Sequence, residues 1–202
     1  TAPPIEAIDG FEGFTTPYGD VTVNAFLIWD PTTKRGFAFD TGADAAEMLA
    51  KIEEEQLRVE AILLTHSHPD HIAALSELRK ATGAPVYLGE RESVHDAEPI
   101  AEGRKFAADV LEIETLLTWG HSKGGVTYFV RGLERPLAIV GDSIFAGSMG
   151  GGSVSYQDAL QNNREKILSL PNETIICPGH GPLTTVEKEK NDNPFFAGKI
   201  SE

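Results

Sequence analysis

Apolar and polar positions along this chain alternate between short β-prone runs and stretches with helical spacing. Residues 21–29 are strongly β-prone and end at the Asp30-Pro31 turn. Residues 36–39 make a second short strand, so the simplest reading is a two-stranded antiparallel hairpin. Residues 43–56 place Ala46, Leu49, Ala50 and Ile52 at helical spacing. Residues 59–64 read as a buried strand that runs directly into Thr65-His66-Ser67-His68-Pro69-Asp70-His71. A helix is expected over 72–82, stopped by Gly83 and Pro85, followed by a short strand over 86–88. The stretch 89–103 is polar and receives no element. Three more strands are expected over 110–118, 126–130 and 137–140, then a flexible glycine-rich loop over 147–155, a helix over 156–168 and a last strand over 173–177. Thr184 and Glu187 have the spacing of a capping box and open a short final helix. Strands alternating with helices predict an α/β layered domain.

Composition narrows the setting. The 202 residues suit a single domain over 1–202 with a substantial core. Asp and Glu number 31 against 17 Lys and Arg, a formal net charge of -14. Such a surface repels phosphate backbones and anionic headgroups, which argues against nucleic-acid and membrane partners, although an anionic small-molecule substrate can still be drawn in by a local metal charge or a few placed lysines. Cys177 is the lone cysteine, so no disulfide forms within the chain, as suits a reducing compartment. No apolar run reaches the length of a membrane span. The first residues do not read as a signal peptide, and the expected location is cytoplasmic.

The chemistry is concentrated in histidines. Three of the six lie in His66-x-His68-x-Asp70-His71. In an extended segment, residues two apart point the same way, so His66 and His68 can grip one ion together. Asp70 and His71 open the next helix and can face a second. A carboxylate among imidazoles lowers the net positive charge of such a site and can accept a proton from water. The remaining ligands are expected where later strands end in glycine turns: His121 in Trp119-Gly120-His121, Asp142 in Gly141-Asp142, and His180 in Gly179-His180-Gly181.

His-x-His-x-Asp-His, then Gly-His, Gly-Asp-Ser and Pro-Gly-His-Gly, in that order, resembles the metallo-β-lactamase superfamily. Within it, the chain is most similar to the short glyoxalase II-like (hydroxyacylglutathione hydrolase-like) enzymes that lack the C-terminal helical domain. The resemblance implies a four-layer αβ/βα sandwich with the site at the edge of two sheets. It implies one ion held by His66, His68 and His121, another by Asp70, His71 and His180, and Asp142 bridging them. It also implies that Asp40, in Phe39-Asp40-Thr41-Gly42, supports the ligands from behind. The cofactors implied are two divalent metal ions. Zinc suits such donors best, while iron and manganese occupy similar sites. The reaction implied is hydrolysis of thioesters such as S-lactoylglutathione, or of related esters, by a metal-bridging hydroxide, with Asp70 orienting the nucleophile and taking up its proton.

Neighbouring readings fit less well. True metallo-β-lactamases generally lack the bridging aspartate, the diiron flavoproteins carry a carboxylate where this chain has His68, and the ribonucleases need a basic surface. Gly150-Gly151-Gly152 stands where glyoxalase II has Gly-Arg. Ser143 lacks a nucleophile elbow, and the loop 147–152 lacks the Gly-Lys-Ser/Thr ending of a phosphate loop. His95 is expected to be a solvated histidine, Cys177 a core residue and Lys123 a surface lysine. Asn24 either faces the site or is simply hydrogen-bonded within its strand. Two alternatives to hydrolysis are a persulfide dioxygenase, with one iron held by His66, His68 and His121 or Asp142, and a metal-dependent sensor without turnover.

Overall fold

A computed structural model of the chain describes residues 7–197. One six-stranded sheet sets β1 (Phe11–Tyr18), β2 (Val21–Trp29), β3 (Arg35–Phe39), β4 (Arg58–Leu63), β5 (Val86–Gly89) and β6 (Ala97–Ile100) side by side in that order. The other contains β7 (Lys105–Ala108), β8 (Leu111–Leu117), β9 (Val126–Arg131) and β10 (Leu137–Gly141). A two-stranded ribbon of β11 (Ile144–Phe145) and β12 (Ser148–Met149) follows. β13 (Ile175–Pro178) and β14 (Thr184–Thr185) then complete the second sheet beyond β10, in the order β14-β13-β10-β9-β8-β7. Among the described residues, five α-helices accompany them: α1 (Ala46–Glu55), α2 (Pro69–Ile72), α3 (Leu75–Thr82), α4 (Tyr156–Asn162) and α5 (Val186–Asp192).

Side-chain alternation turns these elements into layers. Along β2 and β3, Phe26, Ile28, Phe37 and Phe39 face the second sheet, while Ala25, Leu27, Trp29 and Ala38 face the other way. The first set meets Ile113, Tyr128, Val130, Ile139 and Ile175 in a core between the sheets. The second set packs with Met48 of α1 and Leu78 of α3. On the far side, Ala138, Val140 and Ile176 pack with Ala159 of α4 and Val186 of α5. Three apolar seams therefore separate four layers, the αβ/βα sandwich expected. Strands buried on both faces read as continuous apolar runs, which is why β2 and β10 were conspicuous in the sequence.

Beyond the short strands β6, β7, β11, β12 and β14, which no expected element covered, the chain departs from the expected elements as follows. The hairpin over 21–39 is a three-stranded unit, because β1 pairs along its whole length with β2. β1 lies at the sheet edge, where Pro17 is tolerated. The helix over 72–82 is broken, because the Ala74 amide turns to the Thr41 hydroxyl and the Gly42 carbonyl. The helix over 156–168 ends at Asn162 and continues as a π-helical turn, Asn163–Ile167. Asn162 and Asn163 both point inward at this junction, donating to the Trp119 and Ser143 carbonyls. The capping box at Thr184 and Glu187 does not form. Thr185 caps α5 by accepting from the Lys188 amide, and Thr184 donates instead to the buried Glu189 carboxylate. Among the described residues, no helix is long and apolar enough to cross a membrane.

Candidate metal centre

The carboxyl ends of β3, β4, β8, β10 and β13 open on the same edge of the sandwich. The segments leaving them carry Asp40, the 66–71 cluster, His121, Asp142 and His180 in turn. Ligands gather at this end of α/β sheets because the loops there converge. Two bonds between the sheets set the spacing beneath the cluster. Tyr128 Oη donates to the Leu64 carbonyl at 2.7 Å, and the Val126 amide donates to the Thr65 carbonyl at 2.8 Å.

All seven residues expected to ligate come together, in two groups. His66, His68, His121 and Asp142 form one, and Asp70, His71 and His180 the other, with the donor atoms of each group within 4.8 Å of one another. In the first, His68 Nδ1 lies 3.0 Å from His66 Nε2 and 3.1 Å from His121 Nε2. Asp142 joins the groups. Its Oδ2 is 3.4 Å from His121 Nε2 and 3.3 Å from His180 Nε2, and its Oδ1 is 3.2 Å from His71 Nε2. Asp70 Oδ2 lies 3.2 Å from His180 Nε2. His71 Nε2 and Asp142 Oδ1 are both buried without a hydrogen-bond partner. Orphaned atoms of this kind, facing a convergence of imidazoles and carboxylates, fit divalent cations held by nitrogen and oxygen donors.

The other ring nitrogens are fixed by their surroundings, which decides the tautomers. His71 Nδ1 bonds to Asp40 Oδ2 at 2.8 Å. Asp40 also accepts from the Thr65 amide and hydroxyl, and Thr65 Oγ1 in turn lies 3.0 Å from His66 Nδ1. Asp40 is buried with a left-handed backbone (φ 55°) and fills the supporting position expected of it. His121 Nδ1 donates to the Gly151 carbonyl at 2.9 Å, and His180 Nδ1 to the Thr22 carbonyl. Asn24 does not line the site. Its amide donates to the Pro178 and Gly181 carbonyls, pinning the turn that carries His180.

Two glycines are needed for want of space. A Cβ on Gly179 would overlap Asp142 Oδ1, and one on Gly150 would overlap the Asp142 carbonyl. The glycine loop thus lies beside the site.

The two groups differ in charge. Burial, reinforced by the neighbouring His71, pushes His66 well below the usual histidine pKa, and burial with His121 lowers His68. For His71, burial opposes the charge, but the adjacent carboxylates of Asp142 and Asp40 outweigh it and raise the pKa to about 10. Burial likewise opposes ionisation of Asp142, yet His180 and His71 hold it well below the carboxylate range. His180 is raised, chiefly by Asp142.

The remaining singled-out residues lie outside the centre. His95 is exposed beside Asp96, and Lys123 is exposed. Cys177 is buried in the core, which pushes its thiol pKa up. Ser143 Oγ donates to the Thr118 carbonyl. Sequence reasoning missed Glu92, which lies in the unassigned polar stretch between β5 and β6. Its carboxylate accepts from the Ser67 amide and hydroxyl and from the Gly124 amide.

The model of the metallo-beta-lactamase superfamily matches residues 18–180. A "Probable metallo-hydrolase YqgX" from Bacillus subtilis is 36% identical, the match covering 90% of this chain and 96% of that protein. The "Hydroxyacylglutathione hydrolase GloC" of Haemophilus influenzae is 28% identical, over 87% of this chain and 93% of that one. Among solved structures, the "BLEG-1 B3 metallo-beta-lactamase" superposes with a TM-score of 0.81 at 31% identity, covering 93% of this chain and 100% of that chain.

Proposed function

The chain belongs to the metallo-β-lactamase superfamily, and from that premise we propose that it is a two-metal hydrolase of thioesters, S-lactoylglutathione foremost, and of related esters. The observation that carries this reading is the meeting of both ligand groups on the single carboxylate of Asp142. In this proposal His66, His68 and His121 hold one ion, Asp70, His71 and His180 the other, and Asp142 bridges. Zinc fits these imidazole and carboxylate donors, as do iron and manganese. Bound ions would supply two things: acidification of water toward neutral pH and polarisation of a substrate carbonyl.

The chain's own groups do the rest. Asp70 is less buried than Asp142, with its side chain 16% exposed against 8%, and its free face can orient the attacking water and accept its proton. Asp40 holds His71 so that Nε2 presents its lone pair, and Thr65 braces His66. The Gly151 carbonyl fixes the face His121 presents. The hydroxyacylglutathione hydrolase similarity supports a thioester substrate. The BLEG-1 similarity adds β-lactams to the compounds worth testing.

Elemental analysis with a panel of thioesters, esters, lactones and a β-lactam tests the reading. The expected result is two metals per chain and thioester cleavage, with Asp70→Asn lowering kcat at least 100-fold, on the order of what a lost proton acceptor costs. Fully metallated protein that cleaves nothing in the panel sinks the assignment. A single iron with oxygen uptake on glutathione persulfide would move the chain to the dioxygenase alternative.

A further inference from the structure

We propose that Glu92 is a positioning residue that fastens the His66-Ser67-His68 turn to the loop carrying His121, and so fixes the geometry of the four-membered group. The inference rests on the two-metal reading. One oxygen of Glu92 accepts from the Ser67 amide at 2.9 Å and from the Ser67 hydroxyl, and the other accepts from the Gly124 amide at 3.1 Å. Ser67 lies between two candidate ligands, and Gly124 lies three residues beyond a third. These two segments leave different sheets, β4 in one and β8 in the other.

Glu92 is half-buried, and no lysine or arginine pairs with it among the described residues. A carboxylate taken partly out of water without a cation needs compensation. Here amide and hydroxyl donors from the two ligand-bearing loops supply it. The bonds restrain His66, His68 and His121 together, which the Thr65 and Gly151 contacts do only singly. Among the described residues, no single side chain fastens Asp70, His71 and His180 together in this way: Asp40 holds His71, while the Thr22 carbonyl and Asn24 hold His180 and its turn. The consequence is selective: loss of Glu92 loosens one group and spares the other.

The test titrates chelator-stripped full chain with zinc against a chromophoric competitor, and in parallel with cobalt read by visible absorption. Wild type should bind two zinc ions. Glu92→Ala should weaken one by about 10- to 100-fold, the range for losing a group that orients ligands, leave the other unchanged and alter the cobalt spectrum. Glu92→Gln, of equal size but with one accepting oxygen, should fall between, and Ser67→Ala should show a smaller loss at the same site. Should Glu92→Ala fail to fold, Glu92→Gln decides. Two wild-type affinities with an unchanged cobalt spectrum, or equal weakening of both, would overturn the proposal while leaving the two-metal reading intact. A wild-type chain that binds no zinc would remove that reading first, and this one with it.

Discussion

The two ligand groups share an aspartate but are built on opposite electrostatic plans. In the four-membered group, burial keeps His66 and His68 neutral, so their lone pairs are ready for an ion. In the three-membered group, His71 and His180 are drawn toward the charged form by Asp142, with Asp40 adding to the pull on His71. Without metal, that second group favours protonated imidazoles beside its carboxylates, and it must give up a proton to bind a cation. One centre thus joins a preorganised half with a half that metal must compete for. The expected order of filling is four-membered group first.

The largest effect that could break this contrast lies at Asp40. Asp40→Ala removes the partner of His71 Nδ1 and of two Thr65 donors, all in the interior. Leaving a buried pair half-made costs about 3 kcal/mol, read as a shifted denaturant midpoint, with metal lost mainly from the three-membered group. Equal loss from both groups would show that Thr65 couples them more tightly than their charges suggest.

Gly179→Ala comes next. Its methyl would crowd Asp142 Oδ1 and the His71 ring, so one metal per chain should remain, with turnover reduced by about two orders of magnitude. Wild-type turnover would mean that Asp142 shifts freely.

Calorimetry in buffers of different ionisation enthalpy gives a third test. At pH 7 the second zinc should release about one more proton than the first, since His71 titrates near 10 before metal arrives. Equal proton release would abolish the distinction between the groups. The same shift has a sign in the metal-free protein. His71 is raised in the fold, so its contribution to stability is whole below the ordinary histidine pKa of about 6.5 and fades as pH climbs through about 10. Melting temperatures of stripped protein should therefore decline on the alkaline side, more steeply than those of Asp40→Asn. The smallest effect belongs to His95→Ala. That side chain is exposed beside Asp96, and the change should shift stability by less than about 0.5 kcal/mol and metal content not at all.

How much of this was legible in the sequence follows from where the information lies. His66, His68, Asp70 and His71 are neighbours in the chain, and strand-then-helix geometry delivers them to one place without any long-range knowledge. His121, Asp142 and His180 could be read because each follows an apolar run that ends in a glycine turn. β1 escaped because Thr15, Thr16 and Pro17 dilute its pattern at a sheet edge, where one face needs little apolar cover. β6 escaped for the same reason, with Glu98 and Pro99 in a four-residue edge strand. The break in the helix before Leu75 depends on Thr41, 33 residues before Ala74, and on the adjacent Gly42, which no local window sees. Glu92 was hidden most completely. A glutamate in a polar loop has no pattern, and its part is defined only by the Ser67 and Gly124 donors that folding brings to it.

The bond from His180 to the Thr22 carbonyl spans 158 residues of chain. Contacts between such distant segments form late, because the intervening polypeptide must be ordered first. A nascent polypeptide emerging from the ribosome can fold its first sheet and display His66 to His71 while still lacking the closing imidazole. Competence would then arrive in one final step, as the strand before His180 docks against its neighbour and Asn24 locks the turn in place.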